Sequence, residues 1–185
     1  IDEVLRQGDL LFKEKKKCIF LDAGTGSGCV GITIANERPQ WKVLLLELYS
    51  EAIEVVKINL KLCKRNNIDL ICSDWLKPIA KNSFDFIFSN PPYIRINDES
   101  IDDSVRHNEP YTSLFSQKNG LGDINKIIEY SRSVLSTNGI LFLENGVGQS
   151  KDITSHLELN DFTDIRVHID YNGHDRFTSS RKNNG

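Results

Sequence analysis

Cys18-Ile19-Phe20-Leu21-Asp22-Ala23-Gly24-Thr25-Gly26-Ser27-Gly28 is a short apolar run, an acid and a glycine-spaced loop in direct succession, and a helical pattern over Cys29 to Glu37 follows it. Strand, glycine loop and helix in that order make a nucleotide-type βα turn. Glycines let the backbone turn sharply and approach a ligand with no Cβ in the way, while the helix N-terminus presents free N–H groups. Gly26, Gly28 and Gly31 also satisfy the Gly-x-Gly-x-x-Gly spacing of dinucleotide-binding domains. In that fingerprint the strand feeds almost directly into the first glycine, whereas here Asp22 and Gly24 come first and Gly31 falls inside the helix. An acid at the strand end followed by Gly24-x-Gly26-x-Gly28 suits a cofactor without a pyrophosphate better. A plain glycine-rich turn is the alternative.

Downstream, Trp41 to Leu46 forms a second buried run that ends in Glu47, about 20 residues past the glycine loop, where a doubly wound domain places its ribose acid. A carboxylate there can accept from both ribose hydroxyls; the alternative is a surface Glu at a strand end. Glu51 to Arg65 reads as a helix, with Ala52, Val55, Val56, Leu60 and Leu62 forming its apolar face. Ile68 to Cys72 is a third strand ending at Ser73-Asp74-Trp75. That cluster is placed to meet an adenine, with Asp74 accepting from the exocyclic amine and Trp75 packing on the ring. Taken alone it is more often a capping Asp and a packing Trp.

The fourth apolar run, Phe84 to Phe88, delivers Asn90-Pro91-Pro92-Tyr93. Two prolines cannot continue a strand, and each lacks an N–H, so this corner is rich in acceptors and rigid. A planar amino group could donate one proton to the Asn90 side-chain carbonyl and another to the Pro91 carbonyl, with the Tyr93 ring covering its apolar face. The bland alternative is a strand-terminating turn.

Around these stations, residues 1 to 12 suit a short amphipathic helix through Val4, Leu5, Leu10, Leu11 and Phe12, and Lys13 to Lys17 a solvated loop. Residues 94 to 120, with Arg106 and Glu109-Pro110, look irregular and polar, a long excursion of the functional kind. Leu121 to Leu135 predicts a helix, Ser136-Thr137-Asn138-Gly139 its stop, and Ile140 to Leu143 a fifth strand ending at Glu144. Val147 to Leu157 predicts another helix. Phe162 to Ile169 alternates as a strand, Asn172-Gly173 turns, and Phe177 begins a last strand paired with it.

The chain has 185 residues, 39% hydrophobic and 26% charged, enough for one domain with a real core. A net charge of −3 argues against a surface dedicated to nucleic-acid phosphates. Apolar runs are strand-length and no basic-then-apolar leader opens the chain, so we expect neither a membrane span nor a signal peptide, and a cytoplasmic protein. Cys18, Cys29, Cys63 and Cys72 show no Cys-x-x-Cys pair, and His107, His156, His168 and His174 are scattered, which predicts reduced, mostly buried thiols and no zinc site. There is no methionine and the first residue is Ile1, so a longer parent sequence is expected.

A glycine loop after the first strand, an acid after the second, Asp-Trp after the third and Asn-Pro-Pro-Tyr after the fourth resemble class I S-adenosylmethionine-dependent methyltransferases. The Asn-Pro-Pro-Tyr variety marks those that methylate planar nitrogens. Within them the chain resembles the release-factor glutamine N5-methyltransferase family. The match rests on Leu21 to Gly28, Ser73-Asp74-Trp75, Ser89 to Ile94, Val105-Arg106-His107-Asn108-Glu109-Pro110, Leu143-Glu144-Asn145-Gly146 and Asp170-Tyr171-Asn172-Gly173-His174-Asp175-Arg176.

The resemblance implies an α/β, Rossmann-like doubly wound fold: a mostly parallel seven-stranded sheet with a final antiparallel strand. It implies S-adenosylmethionine as cofactor, held at Gly24, Thr25, Gly26, Ser27, Gly28, Glu47, Asp74, Trp75 and Asn90. The substrate amide would lie on Asn90, Pro91, Pro92 and Tyr93, with no metal. The partner would be a peptide chain release factor, and the protein monomeric. Glu47 stands where many relatives have Asp; both are acceptor carboxylates. Family members carry an N-terminal helical docking domain, so residues 1–17 are expected to be a helix and linker from its end, and residues 18–185 the catalytic domain.

An amide nitrogen is a poor nucleophile and must pyramidalise, so carbonyls already aimed at it from Asn90 and Pro91 would act most strongly in the transition state. No dedicated base is required, because the proton can leave after transfer. The competing readings are N-methylation of adenine or guanine in DNA or RNA, methylation of a ribosomal-protein glutamine, and a nicotinamide oxidoreductase or non-catalytic cofactor module. The last gives Asn90 to Tyr93 nothing to do.

Overall fold

The computed structural model describes residues 1–11, 17–76, 79–96 and 110–183. Seven strands form one sheet in the order β3-β2-β1-β4-β7-β9-β8. They are β1 (Ile19–Ala23), β2 (Lys42–Glu47), β3 (Ile68–Cys72), β4 (Phe84–Ser89), β7 (Leu135–Glu144), β8 (Phe162–Ile169) and β9 (Asp175–Lys182). β3, β2, β1, β4 and β7 run parallel; β9 is antiparallel to both β7 and β8. The α/β, mostly parallel sheet expected from the sequence is therefore the observed one, with its antiparallel strand inserted second from the edge.

Alternation along the central strands splits the core between two faces, as a period of two residues requires. Phe20, Val43, Leu45, Phe86, Phe88 and Phe142 point to one face, packed with Val4 of α1 (Asp2–Leu11), Ile34 and Ala35 of α2 (Cys29–Glu37) and Val56 of α3 (Ser50–Cys63). Leu21, Leu46, Ile87, Leu141 and Leu143 point to the other, under Ile124, Ile127 and Ile128 of α4 (Gly122–Val134) and Ile153 and Leu157 of α5 (Ser150–Leu159). Helices on both faces bury the sheet twice, which explains why β4 is buried at every position and reads as a continuous apolar run. On the first face an aromatic row crosses the sheet, Trp41 to Phe20 at 6.4 Å, Phe20 to Phe86 at 5.3 Å and Phe86 to Phe142 at 6.3 Å between ring centroids.

Polar groups pin β4 at each end. Asp85 is 3% exposed, and its carboxylate accepts from the Ile19 amide at 2.9 Å and the Ser136 hydroxyl at 3.0 Å. At the other end, Ser89 Oγ donates to the Ala23 carbonyl at 2.6 Å. The exit of β4 is thereby fixed against the exit of β1.

Several local expectations are corrected. Ser136 to Gly139 is not a helix stop but a bulge at the start of β7, whose register jumps from Phe84–Leu135 to Phe86–Ile140. The helix expected from Val147 starts at Ser150, because Val147 and Gly148 form a turn with Gly148 at φ 81°. On α3, Val55 and Leu62 are exposed rather than on the buried face; Val56 alone is fully buried there. Of the cysteines only Cys18 is buried; Cys29 and Cys72 are exposed. Among the described residues of the 94–120 excursion, β5 (Ile94–Arg95) pairs in parallel with β6 (Phe115–Ser116), and Tyr111 stacks on Phe115. The last strand begins at Asp175, ahead of Phe177. Phe12, Lys13 to Lys16, and the Val105 to Glu109 stretch with Arg106 and His107 lie outside the described residues. No helix among the described residues is long and apolar enough to cross a membrane.

Candidate active site

In the order β3-β2-β1-β4-β7 the chain winds one way from β1 and then the other way from β4, so the crevice between the ends of β1 and β4 is the topological switch point, where open α/β sheets bind ligands. The loop after β1 carries Gly24 to Gly28, and Asn90 follows β4.

Gly24, Gly26 and Gly28 have φ of 73°, 57° and 83°, the left-handed region that side chains avoid. The loop is held from beneath. Gly24 and Thr25 amides donate to the Leu46 carbonyl at 2.9 and 3.0 Å, and the Asn59 side chain of α3 donates to the Ser27 carbonyl at 2.8 Å. A Cβ on Gly26 would meet nothing within 4 Å, so this part of the loop faces open space. Gly31 is different: a Cβ there would collide with Leu45 and Asp22, so this glycine lets α2 lie close on the sheet. That is a packing role, which any βα unit can need.

Asp22 is 2% exposed, and its Oδ2 accepts from Thr25 Oγ1 at 2.6 Å and the Gly31 amide at 2.9 Å. Loss of water pushes its carboxyl up to about 6, more than those two donors pull it down. Asp22 thus organises the loop from inside. Glu47 is 5% exposed; its Oε2 accepts from the Gly26 amide at 2.8 Å and its Oε1 from the amides of Leu48 and Tyr49 at 2.8 and 3.1 Å. A carboxylate has about four acceptor directions, so one on Oε2 stays available beside the loop.

The Ser73 amide donates to the Glu47 carbonyl at 2.9 Å, which seats the Ser73-Asp74-Trp75 turn next to Glu47. Trp75 sits at φ 50°, its ring lying where a Gly24 Cβ would be 3.1 Å away, and its Nε1 donates to Asp123 Oδ1 of α4 at 3.3 Å. The ring therefore backs the glycine loop. Asp74 is exposed beside it.

Asn90 is exposed, Pro91 buried, Pro92 and Tyr93 half-buried. The Tyr93 hydroxyl lies 3.3 Å from Glu144 Oε1 and 3.5 Å from Arg176 Nη1, and Gln149 Nε2 donates to the Tyr93 carbonyl at 2.9 Å. A cavity of about 640 Å³ opens beside Tyr93, bounded by Arg95, Leu121, Gly146, Gln149 and Arg176 among others. The structure thus gathers the glycine loop, Glu47 and Trp75 into one hydrogen-bonded block, and sets Asn90 to Tyr93 across the switch point from it. Glu144, Gln149 and Arg176 carry no role in the sequence reading, although Glu144 and Arg176 stand in stretches that carry the family resemblance and Glu144 ends its strand as Glu47 does. Among the described residues no three of His, Cys, Asp and Glu gather as a metal cluster.

Residues 9–108 match a family model described as the methyltransferase small domain. The chain is 37% identical over 162 residues to a release factor glutamine methyltransferase of Francisella tularensis, covering 88% of this chain and 57% of that protein. It is 34% identical over 182 residues to one of Buchnera aphidicola, covering 97% of this chain and 65% of that protein. The chain therefore spans between half and two thirds of the length of these curated relatives. A solved methyltransferase from Pyrococcus furiosus superposes with a TM-score of 0.70 at 17% identity, covering 97% of this chain and 82% of that one, a likeness of fold.

Proposed function

The chain belongs to the methyltransferase small domain family, and from that premise we propose that it moves a methyl group from S-adenosylmethionine to the side-chain amide nitrogen of a glutamine in a peptide chain release factor. The observation that carries the reading is the placement of an acceptor-rich corner, Asn90-Pro91-Pro92-Tyr93, across the switch point from a glycine loop backed by a buried acid. The likeness to release factor glutamine methyltransferases supports the choice of substrate. The catalytic unit runs over residues 18–185, with α1 laid on it through Val4 and through Gly8, which abuts the Trp41 ring.

The residues present fit this cofactor. Gly26 faces open space, so a ligand can approach the loop backbone. Glu47 keeps an acceptor for a ribose hydroxyl, and Asp74, exposed beside Trp75, would accept from the adenine amine. When bound, S-adenosylmethionine supplies an electrophilic methyl group on a positively charged sulfur. Asn90 and Pro91 present carbonyls to the two protons of a planar amide, which orients the nitrogen and stabilises the positive charge that grows on it. Holding the nitrogen in one orientation also supplies a proximity advantage, which reaches ~7–11 kcal/mol in well-oriented systems. Tyr93 covers the apolar face of the amide.

The test is to offer the chain labelled S-adenosylmethionine with purified release factor, ribosomal protein, DNA and RNA in parallel, and to map the label. Label on a release factor glutamine supports the proposal. Label on an adenine or guanine nitrogen, or on a ribosomal protein alone, would replace it.

A further inference from the structure

Tyr93 is gripped at both ends by groups that the proposed reaction does not itself use. Its hydroxyl lies between the Glu144 carboxylate at 3.3 Å and the Arg176 guanidinium at 3.5 Å. Its carbonyl accepts from Gln149 Nε2 at 2.9 Å, while the same side chain accepts the Gly146 amide at 2.8 Å through Oε1. Behind that carbonyl is Gly120, where a Cβ would collide with the Tyr93 oxygen. The ring edge packs on Gly146, where a Cβ would be 3.3 Å from Cδ2.

The topology explains the grip. Ser89 of β4 is in register with Leu143 of β7, and Glu144 with Phe177 of β9, so the ends of three adjacent strands place Glu144 and Arg176 beside the residues that follow β4. Arg176 is in turn held by Asp170, whose Oδ2 lies 3.5 Å from its Nε. A lid that only covered an apolar face would need no hydroxyl, and phenylalanine would serve. A hydroxyl set half-buried between opposite charges is costly to leave unbonded, so its partners select one tilt of the ring. At 3.3 and 3.5 Å the two contacts are long for hydrogen bonds.

We infer that Glu144, Arg176 and Gln149 are positioning residues: they fix the Tyr93 ring and main chain, and through them the orientation of the amide on Asn90 and Pro91. The kinetic consequence rests on the function proposed above; the structural one does not. Glu144 is faced by Tyr93 and Arg176, and burial raises its carboxyl above the ordinary range. Asp170, behind Arg176, is held below its ordinary range by the amides of His174 and Asn172.

The test uses the whole chain with tyrosine ¹³C-labelled at Cζ. There are 5 tyrosines, and Tyr93→Phe identifies the resonance. As the pH rises through the Glu144 titration, which burial places above the ordinary carboxylate range, the Tyr93 signal should move as Glu144 loses its proton, and Glu144→Gln should abolish that step. A Tyr93 signal that ignores Glu144 would overturn the inference whether or not the chain methylates anything. On the kinetic side, Tyr93→Phe and Glu144→Ala should each lower kcat by roughly ten- to a hundredfold with a smaller change in KM, the range for groups that orient a reacting centre. The double variant should be no slower than the slower single one, and Glu144→Gln, which still accepts, should stay close to wild type. Multiplying losses, or a change in KM alone, would contradict it. A wild-type chain that methylates no release factor would instead defeat the function proposed above, leaving the resonance to decide this one.

Discussion

Asp22 and Glu47 both end strands at the crevice, yet they are spent differently. Asp22 is sealed beneath the glycine loop, and its folded-state carboxyl, about 6 against an ordinary 3.8, keeps its proton to a higher pH than a free one. Its contribution to stability is then full below the unfolded value and is lost as pH rises through about 6. The unfolding free energy of the wild type should therefore gain on that of Asp22→Asn as pH falls from 7 to 4, by up to about 3 kcal/mol at roughly 1.4 kcal/mol per pH unit. A constant difference across that range, measured by denaturant titration, would exclude it. Glu47 serves the loop as well as a ligand, because Gly26, Leu48 and Tyr49 all donate to it. Glu47→Ala should accordingly weaken S-adenosylmethionine binding by roughly 1–3 kcal/mol in calorimetry and also lower the melting temperature. Unchanged affinity would remove the ribose assignment. The position of Glu47 was legible from spacing alone; its debt to three backbone amides was not, since those donors come from a loop 21 residues upstream and from its own turn.

The glycine loop separates two jobs that look alike in sequence. A methyl on Gly31 collides with Leu45 and Asp22, so Gly31→Ala should destabilise the fold by about 1–3 kcal/mol, the usual cost of overpacking. Gly26→Ala meets no neighbour and bears only the strain of φ 57°, about 1–2 kcal/mol. Its methyl would stand in the open space kept for the ligand. Thermal melts and calorimetry should therefore show Gly31→Ala failing mainly in stability and Gly26→Ala mainly in binding; equal effects on both would refute the division. Strands β1, β2 and β4 and helix α2 could be read because their apolar runs are short and the glycines and prolines punctuate them. The face of α3 is misread from sequence because the stripe that packs runs through Ile53, Val56 and Leu60, and Val55 and Leu62 lie beside it in water. The Ser136 to Gly139 bulge was read as a helix stop because Asn138, at φ 62°, and Gly139 carry the same turn chemistry in both settings.

At the scale of the molecule, strand order makes the site. The sequence supplies stations in a row, but only the order β3-β2-β1-β4-β7 brings the first and fourth side by side, with Ser89 bonded to Ala23 across the gap. The insertion of β9 between β7 and β8 brings Arg176 to Tyr93 from 83 residues away, a contact no local pattern announces. The central claim is that Asn90 acts on the amide in the transition state far more than it acts on the cofactor. It is tested most directly by measuring, side by side for wild type and Asn90→Ala, the single-turnover rate of methyl transfer and the affinity for S-adenosylmethionine. Loss of one oriented contact of this kind costs ~10²–10³ in rate, so the rate should fall by about that factor while the affinity stays nearly the same. Transfer at the parental rate, or a loss of affinity as large as the loss of rate, would contradict the account.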